Sequence, residues 1–240
     1  MTMHQAAAAA HHRFALAGVV LLALLVAGCN DEPAQRKAFI TFLQTRIIDK
    51  PGLHVPHLTP EEAKSFGDYA KQYAIITDFN DGLDHSIAMP MQEAMTRGAI
   101  HSIDEVVTRH ADFVAARNGI AQLRFALDKQ IAGADAAHAE LKQPDDLKPV
   151  FDKAYDRDVT IPAKAFADIF PDLSDALTAI VDLGDFLEKH KNKVTINGPL
   201  LQTSDPALQP QLAALVNALA AKNEAITKAQ EHLRTVLNGS

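Results

Sequence analysis

The sequence predicts an all-α protein: an antiparallel bundle of long helices with one small two-stranded β excursion near residues 193–203. Three observations carry this reading. Apolar residues recur at sevens over two long stretches, first Val106, Phe113, Ile120, Leu127, Ala134 and Leu141, then Leu212, Leu219, Ile226 and Leu233. The 240 residues hold no Trp and only three Tyr, and the many alanines favour helix over sheet. Helix-start and helix-stop residues fall between the apolar stretches, where a bundle needs its turns.

Taken in order, residues 30–35 read as a short polar tether. Phe39, Phe42, Leu43 and Ile47 then mark one face of a helix from Gln35 to about Asp49. Pro51-Gly52 stops it, and the prolines of 50–58 (KPGLHVPHL) make a loop. Thr59-Pro60-Glu61-Glu62 predicts a helix start: Thr59 as cap, Pro60 in the first turn, Glu62 closing a capping box. That helix places Phe66, Tyr69, Tyr73, Ile76 and Leu83 on one side, and Asp81-Gly82 is expected to weaken or end it. Residues 85–99, with Pro90 and Gly98, fit no single pattern.

Residues 102–142 are predicted as one helix, opened by a second capping box at Ser102 and Glu105. Its seam runs for about 60 Å at 1.5 Å per residue, and Pro144 ends it. Asp145 is placed to cap a short helix through Tyr155, with Pro149 near its first turn. Pro162 and Pro171 are expected to bracket one or two turns. A further helix runs from about Asp172 to His190, with Leu173, Leu177, Ile180, Gly184 and Leu187 inward. Residues 193–203 (KVTINGPLLQT) hold β-branched residues around Asn197-Gly198, a hairpin-forming dipeptide, although Pro199 spoils the ideal turn. Residues 205–237 return to helix. Several amphipathic helices joined by short loops bury their seams against each other.

The first 28 residues are of another kind. A weakly basic leader ends at Arg13, and Phe14 to Ala27 (FALAGVVLLALLVA) is apolar throughout. At about 1.5 Å per helical residue that run spans roughly 21 Å, short of the ~20 residues a bilayer-spanning helix needs. It stops at Val26-Ala27-Gly28-Cys29, followed by Asn30-Asp31-Glu32-Pro33. This is the layout of an export signal, and its junction resembles the lipobox of bacterial lipoproteins. The resemblance implies cleavage between Gly28 and Cys29 and acyl chains, such as palmitate, on Cys29. Two or more such chains hold a protein stably on a membrane. Cys29 is the one cysteine of the chain, so it forms no intramolecular disulfide. The expected organisation is a signal peptide at 1–28, a lipidated tether at 29–35 and a single helical-bundle domain at 36–238. In enterobacterial lipoproteins Asp after the cysteine favours inner-membrane retention, so Asn30 points to the outer membrane over the inner one.

Removing Arg13 with the leader leaves 22 Lys and Arg against 30 Asp and Glu, a formal charge of −8. That balance argues against nucleic acid and against adhesion to anionic lipid, so acyl chains must do the anchoring.

The residues able to carry chemistry form no recognisable set. His54-Val-Pro-His57 offers two imidazoles where zinc needs three or four ligands. Asp78 to Asp84 (DFNDGLD) imitates a calcium loop, but with Gly82 at position six Phe79 falls on a ligand position and Ala88 stands where a bidentate Glu belongs. His110 and His138 fall beside the long seam. Asp145-Asp146 and Asp156-Arg157-Asp158 are adjacent carboxylates of the type acid–base enzymes use, and on helices such neighbours are expected to be solvated. No Gly-x-Ser-x-Gly, P-loop, Gly-x-Gly-x-x-Gly or His-Glu-x-x-His occurs. No catalytic residue, metal or cofactor is predicted.

Residues 35–44 (QRKAFITFLQ), just after the lipobox, resemble the start of the mature YiaF-like proteins. So do Ala134-Asp135-Ala136-Ala137-His138, then Leu141-Lys142-Gln143 and Asp145 to Asp152 (DDLKPVFD). Asn197-Gly198 ahead of the last helix also fits. This is a proteobacterial family of envelope lipoproteins that carries a domain of unknown function. It implies the lipid site at Cys29 and no catalytic residue. The function expected is a membrane-anchored, non-enzymatic module that contacts an envelope protein. The alternative is a carrier of a small apolar ligand or lipid within the bundle.

Overall fold

The computed structural model describes residues 31–239; the expected signal peptide and the expected cleavage and lipidation residues Gly28 and Cys29, with Asn30, lie outside that range. The chain folds as helices, with one two-stranded sheet among the described residues.

Helix α1 (Glu32–Leu43) passes into a π-helical turn, π1 (Gln44–Ile48). It starts three residues before Gln35, so the segment expected as a tether is already helical from Glu32. Pro33 suits the first turn, and Arg36 reaches back to Glu32 at 3.2 Å. After the loop, α2 (Pro60–Phe66) begins with the predicted capping box: Glu62 N–H donates to Thr59 Oγ1 and Thr59 N–H to Glu62 Oε2. The helix expected to run on from there breaks at Gly67, whose φ of +56° suits glycine, and resumes as α3 (Tyr69–Leu83). Asp81-Gly82 ends nothing. The buried series Leu83, Ile87 and Met91 carries the chain through a second π-turn, π2 (Asp84–Ala88), into α4 (Met89–Gly98).

The long helix predicted over 102–142 is two, α5 (Ile103–Thr108) and α6 (His110–Ala139), broken at Arg109. The second capping box does not form. Ser102 makes no cap, and Glu105 Oε2 accepts instead from the His101 N–H. The seam itself is continuous: Val106, Phe113, Ile120, Leu127 and Ala134 are all buried. Asp145 likewise caps nothing. Helix α7 (Lys148–Tyr155) starts three residues later around Pro149 and leads through π3 (Asp156–Thr160) into α8 (Ile161–Lys189).

Helix α8 is unbroken, where Pro162 and Pro171 were expected to bracket a separate turn. An internal proline removes one N–H and so frees the carbonyl four residues back. Pro171 frees that of Ala167, which accepts from Arg124 Nη1 of α6 at 3.0 Å. Pro162 withholds its N–H from Asp158 O, which accepts from Asn80 Nδ2 of α3 at 2.9 Å. Neighbouring helices thus make good what each proline removes. Arg124→Ala is expected to cost about 1–2 kcal/mol, and less in a Pro171→Ala background, where the helical N–H returns. Urea unfolding of the four members of that double-mutant cycle measures the coupling.

Strands β1 (Val194–Asn197) and β2 (Leu200–Thr203) pair antiparallel, Val194 with Thr203 and Asn197 with Leu200. The loop residues are therefore Gly198 and Pro199. A 3-10 turn (Pro206–Leu208) precedes α9 (Gln209–Asn238).

Cross-contacts fix the directions. Gln130 of α6 reaches Phe79 of α3, and Gln143 reaches Gln72 (2.7 Å). Arg124 meets Ala167 while His110 meets Asp185, so α6 and α8 are antiparallel. Lys222 of α9 meets Asp175 of α8 at 2.6 Å. Helix α8 is the spine, packed by α6 on one side and α9 on another, and sixteen of its residues are buried. Helix α9 is the outlier, because among its described residues only Leu212 is buried. Its C-terminal end is held by the early loop: Leu53 N–H donates to Leu237 O at 3.0 Å. Gly52 (φ +65°) lies so close that a Cβ there would sit 2.6 Å from that carbonyl.

Candidate functional site

The residues singled out for chemistry are scattered. His57 lies 3.9 Å from Asp81, both exposed. Asp78 to Leu83 is helical, so it offers no cation loop. Among the described residues no three His, Cys, Asp or Glu side chains converge to hold a metal ion.

The two seam histidines have partners that sequence could not assign. His110 Nε2 is 3.0 Å from Asp185 Oδ1. His138 Nε2 is 2.9 Å from Asp152 Oδ1, which also meets Lys148. The His138 ring stacks on Tyr155 with centroids 4.1 Å apart, and Tyr155 donates to Asp135 at 2.7 Å. Burial raises the Asp152 carboxyl, but Lys148 and His138 outweigh it and hold the group below the usual carboxylate range. Burial and the adjoining Asp135 push the Tyr155 phenol up, so it stays a donor. The set joins α6 to α7 as an ion-pair network. Asp146 meets Arg36 at 3.2 Å and joins the turn before α7 to α1.

Asp158 departs from the expectation of a solvated acid. It is fully buried, and no side-chain donor reaches either carboxylate oxygen; the His54 backbone N–H faces the group without closing a well-formed hydrogen bond. The π-turn rotates it inward beneath the 50–58 loop. There Tyr73 donates to Pro56 O at 2.8 Å and Arg157 Nη2 to Gly52 O at 3.2 Å. Burial pushes the carboxyl up to about 7 against the opposing pull of the His54 backbone N–H and the Arg157 guanidinium.

An apolar concavity lies elsewhere. A slot of about 460 Å³ opens between α4, α6, α8 and α9. Its floor is α8, through Leu173, Ala176, Leu177 and Ile180, with Ile120 of α6 behind. One wall is the end of α4 and the residues after it, Ala94, Met95, Ala99 and Ile100. The other is α9, through Leu219, Ala220, Ile226 and Gln230. Among the described residues no charged and no aromatic side chain lines it, and Gln230 is the polar one. Half-open apolar cavities of this size are where small ligands bind.

Sequence marked part of this slot under another name. Ile120, Leu173, Leu177, Ile180, Leu219 and Ile226 were expected as core seam, and they do line the interior. The slot exists because the third wall, contributed by 94–100, stands off from α9. Alanines at 94, 99, 176 and 220 keep it open. The signal that was available was the lack of large apolar partners along α9 to fill the gap.

The chain was compared with known proteins on this footing. The model of a family described as "Protein of unknown function (DUF3053)" matches residues 17–234. "Uncharacterized protein YiaF" of Escherichia coli (strain K12) is 31% identical over 220 residues, covering 90% of this chain and 92% of that protein. The protein of the same name from Shigella flexneri matches to the same extent. No solved structure matches.

Proposed function

The chain belongs to the DUF3053 family of proteins of unknown function, and from that premise we propose that it is a lipid-anchored module of the cell envelope that acts by binding and not by catalysis. The observation that carries the anchor is the Val26-Ala27-Gly28-Cys29 junction at the end of a fourteen-residue apolar run. Supporting it, the helical body begins at Glu32, three residues beyond Cys29, so the acyl chains would hold α1 against the bilayer surface. Among the described residues no helix is long and apolar enough to cross a membrane.

Binding in preference to catalysis is supported by what the histidines and acids do. The ring nitrogens of His110 and His138 face carboxylates within ion pairs, and neither pair borders the slot. The body acts through contacts with an envelope partner, on the outer membrane in the reading Asn30 suggests. The slot favours a second reading, a carrier for a small apolar ligand.

Intact-mass measurement of the full-length product from membranes tests the anchor. The expected mass lacks residues 1–28 and carries a diacylglycerol and a further acyl group at Cys29. Cys29→Ala is expected to abolish that addition and to move the protein from the membrane to the soluble fraction. A wild-type protein with a bare thiol at Cys29 would refute the anchor.

A further inference from the structure

We infer that the slot between α4, α8 and α9 is a binding site for one aliphatic acyl chain of a membrane lipid. This deepens the binding role proposed above and rests on it. The lining decides the chemistry. Aromatic ligands are held by ring faces and charged ones by opposite charges, and this slot offers neither. What it offers is aliphatic surface over most of its length, which rewards methylene groups removed from water.

The dimensions fit a chain. From Leu219 to Gln230, α9 lines the slot over about 16 Å at 1.5 Å per residue. The hydrocarbon core of a bilayer is about 30 Å thick, so each leaflet is about 15 Å deep. One leaflet depth is one acyl chain. Gln230 stands at one end of that span, and its amide has donors for an ester or carboxyl oxygen. The alanines open the slot only by the side chains they lack, so a partner helix about 10–12 Å across would have to displace α9 from α8. Helix α1, three residues beyond Cys29, packs on α2, α3 and α7, and none of these lines the slot.

The test uses the full-length lipoprotein and two photoreactive probes bearing a diazirine at the chain end: palmitate in solution, and a phosphatidylethanolamine incorporated in vesicles. After illumination, peptide mapping is expected to place label on the 173–180 and 219–230 segments from at least one probe. Which probe labels identifies a free fatty acid or a phospholipid as the source. Ala220→Trp, at an exposed position on the slot wall, and Ala94→Phe, on the opposite wall, are each expected to cut that labelling at least tenfold. Both variants should keep the wild-type circular dichroism and membrane attachment. Label confined to other segments, labelling unchanged by both substitutions, or crosslinks at the slot between two copies of the chain would each overturn the inference. The palmitate arm needs no membrane, so a failure of anchoring at Cys29 leaves it readable and separates the two claims.

Discussion

Asp158→Asn is expected to raise stability at pH 8 by about 2 kcal/mol and to flatten its dependence on pH. The carboxyl is fully buried, with no well-formed hydrogen bond to either oxygen, and burial pushes it up to about 7 from an unfolded value of 3.8. Below pH 4 the group is protonated in both states and contributes no difference. Between pH 4 and 7 the folded state keeps a proton that the unfolded state has released. Stability therefore falls as pH rises, by about 1.4 kcal/mol per unit for this one group, and levels off above 7. Asn holds the same shape without the ionisation. Its amide brings a new buried donor, which offsets on the order of 1–2 kcal/mol of the gain. Urea unfolding at pH 5 and pH 8 decides it. A variant less stable than wild type at pH 8, or a wild type equally stable at both pH values, contradicts the assignment. The groups facing Asp158 are Arg157 on its own turn, Tyr73 from α3 and the His54 backbone from the loop.

Phe39→Ala is expected to cost about 4 kcal/mol. The ring is fully buried and is the hub of an aromatic cluster. It stacks on Tyr69 at 5.7 Å and touches Phe66 at 5.5 Å, Phe151 at 6.3 Å and Tyr73 edge-on at 6.4 Å. These neighbours come from α2, α3 and α7, so one side chain holds four helices together. Large rings cut to Ala in packed cores lose about 3–5 kcal/mol, because rigid neighbours collapse only partly into the space. Phe39→Leu should lose less than half as much. Equilibrium unfolding compares the two, and equal costs would mean that the cluster repacks freely.

Both residues show what was legible in the chain. Phe39 was placed on the buried face from spacing alone, as were Val106, Phe113, Ile120, Leu127 and Ala134, because a seven-residue repeat is a local signal. The Thr59–Glu62 box and the 194–203 hairpin were legible for the same reason. Asp158 was not. Its burial follows from a π-turn, and from a loop a hundred residues earlier folding over it. The unbroken α8 was illegible because the groups that satisfy its prolines, Arg124 and Asn80, come from other helices. Ser102 failed as a cap because Glu105 found His101 first. The slot follows the same rule: each wall reads as ordinary seam, and the space between them appears only when four helices are set side by side.

The bond from Leu53 to Leu237 joins positions 184 residues apart along the chain. A contact of that span is slow to close and is made late in folding. Ribosomes deliver α9 long after the Pro51–Leu58 stretch, which therefore waits, unclasped, until Leu237 arrives. Nascent chains are then sensitive to protease at that stretch, and shortening the protein by its last few residues would leave it so permanently.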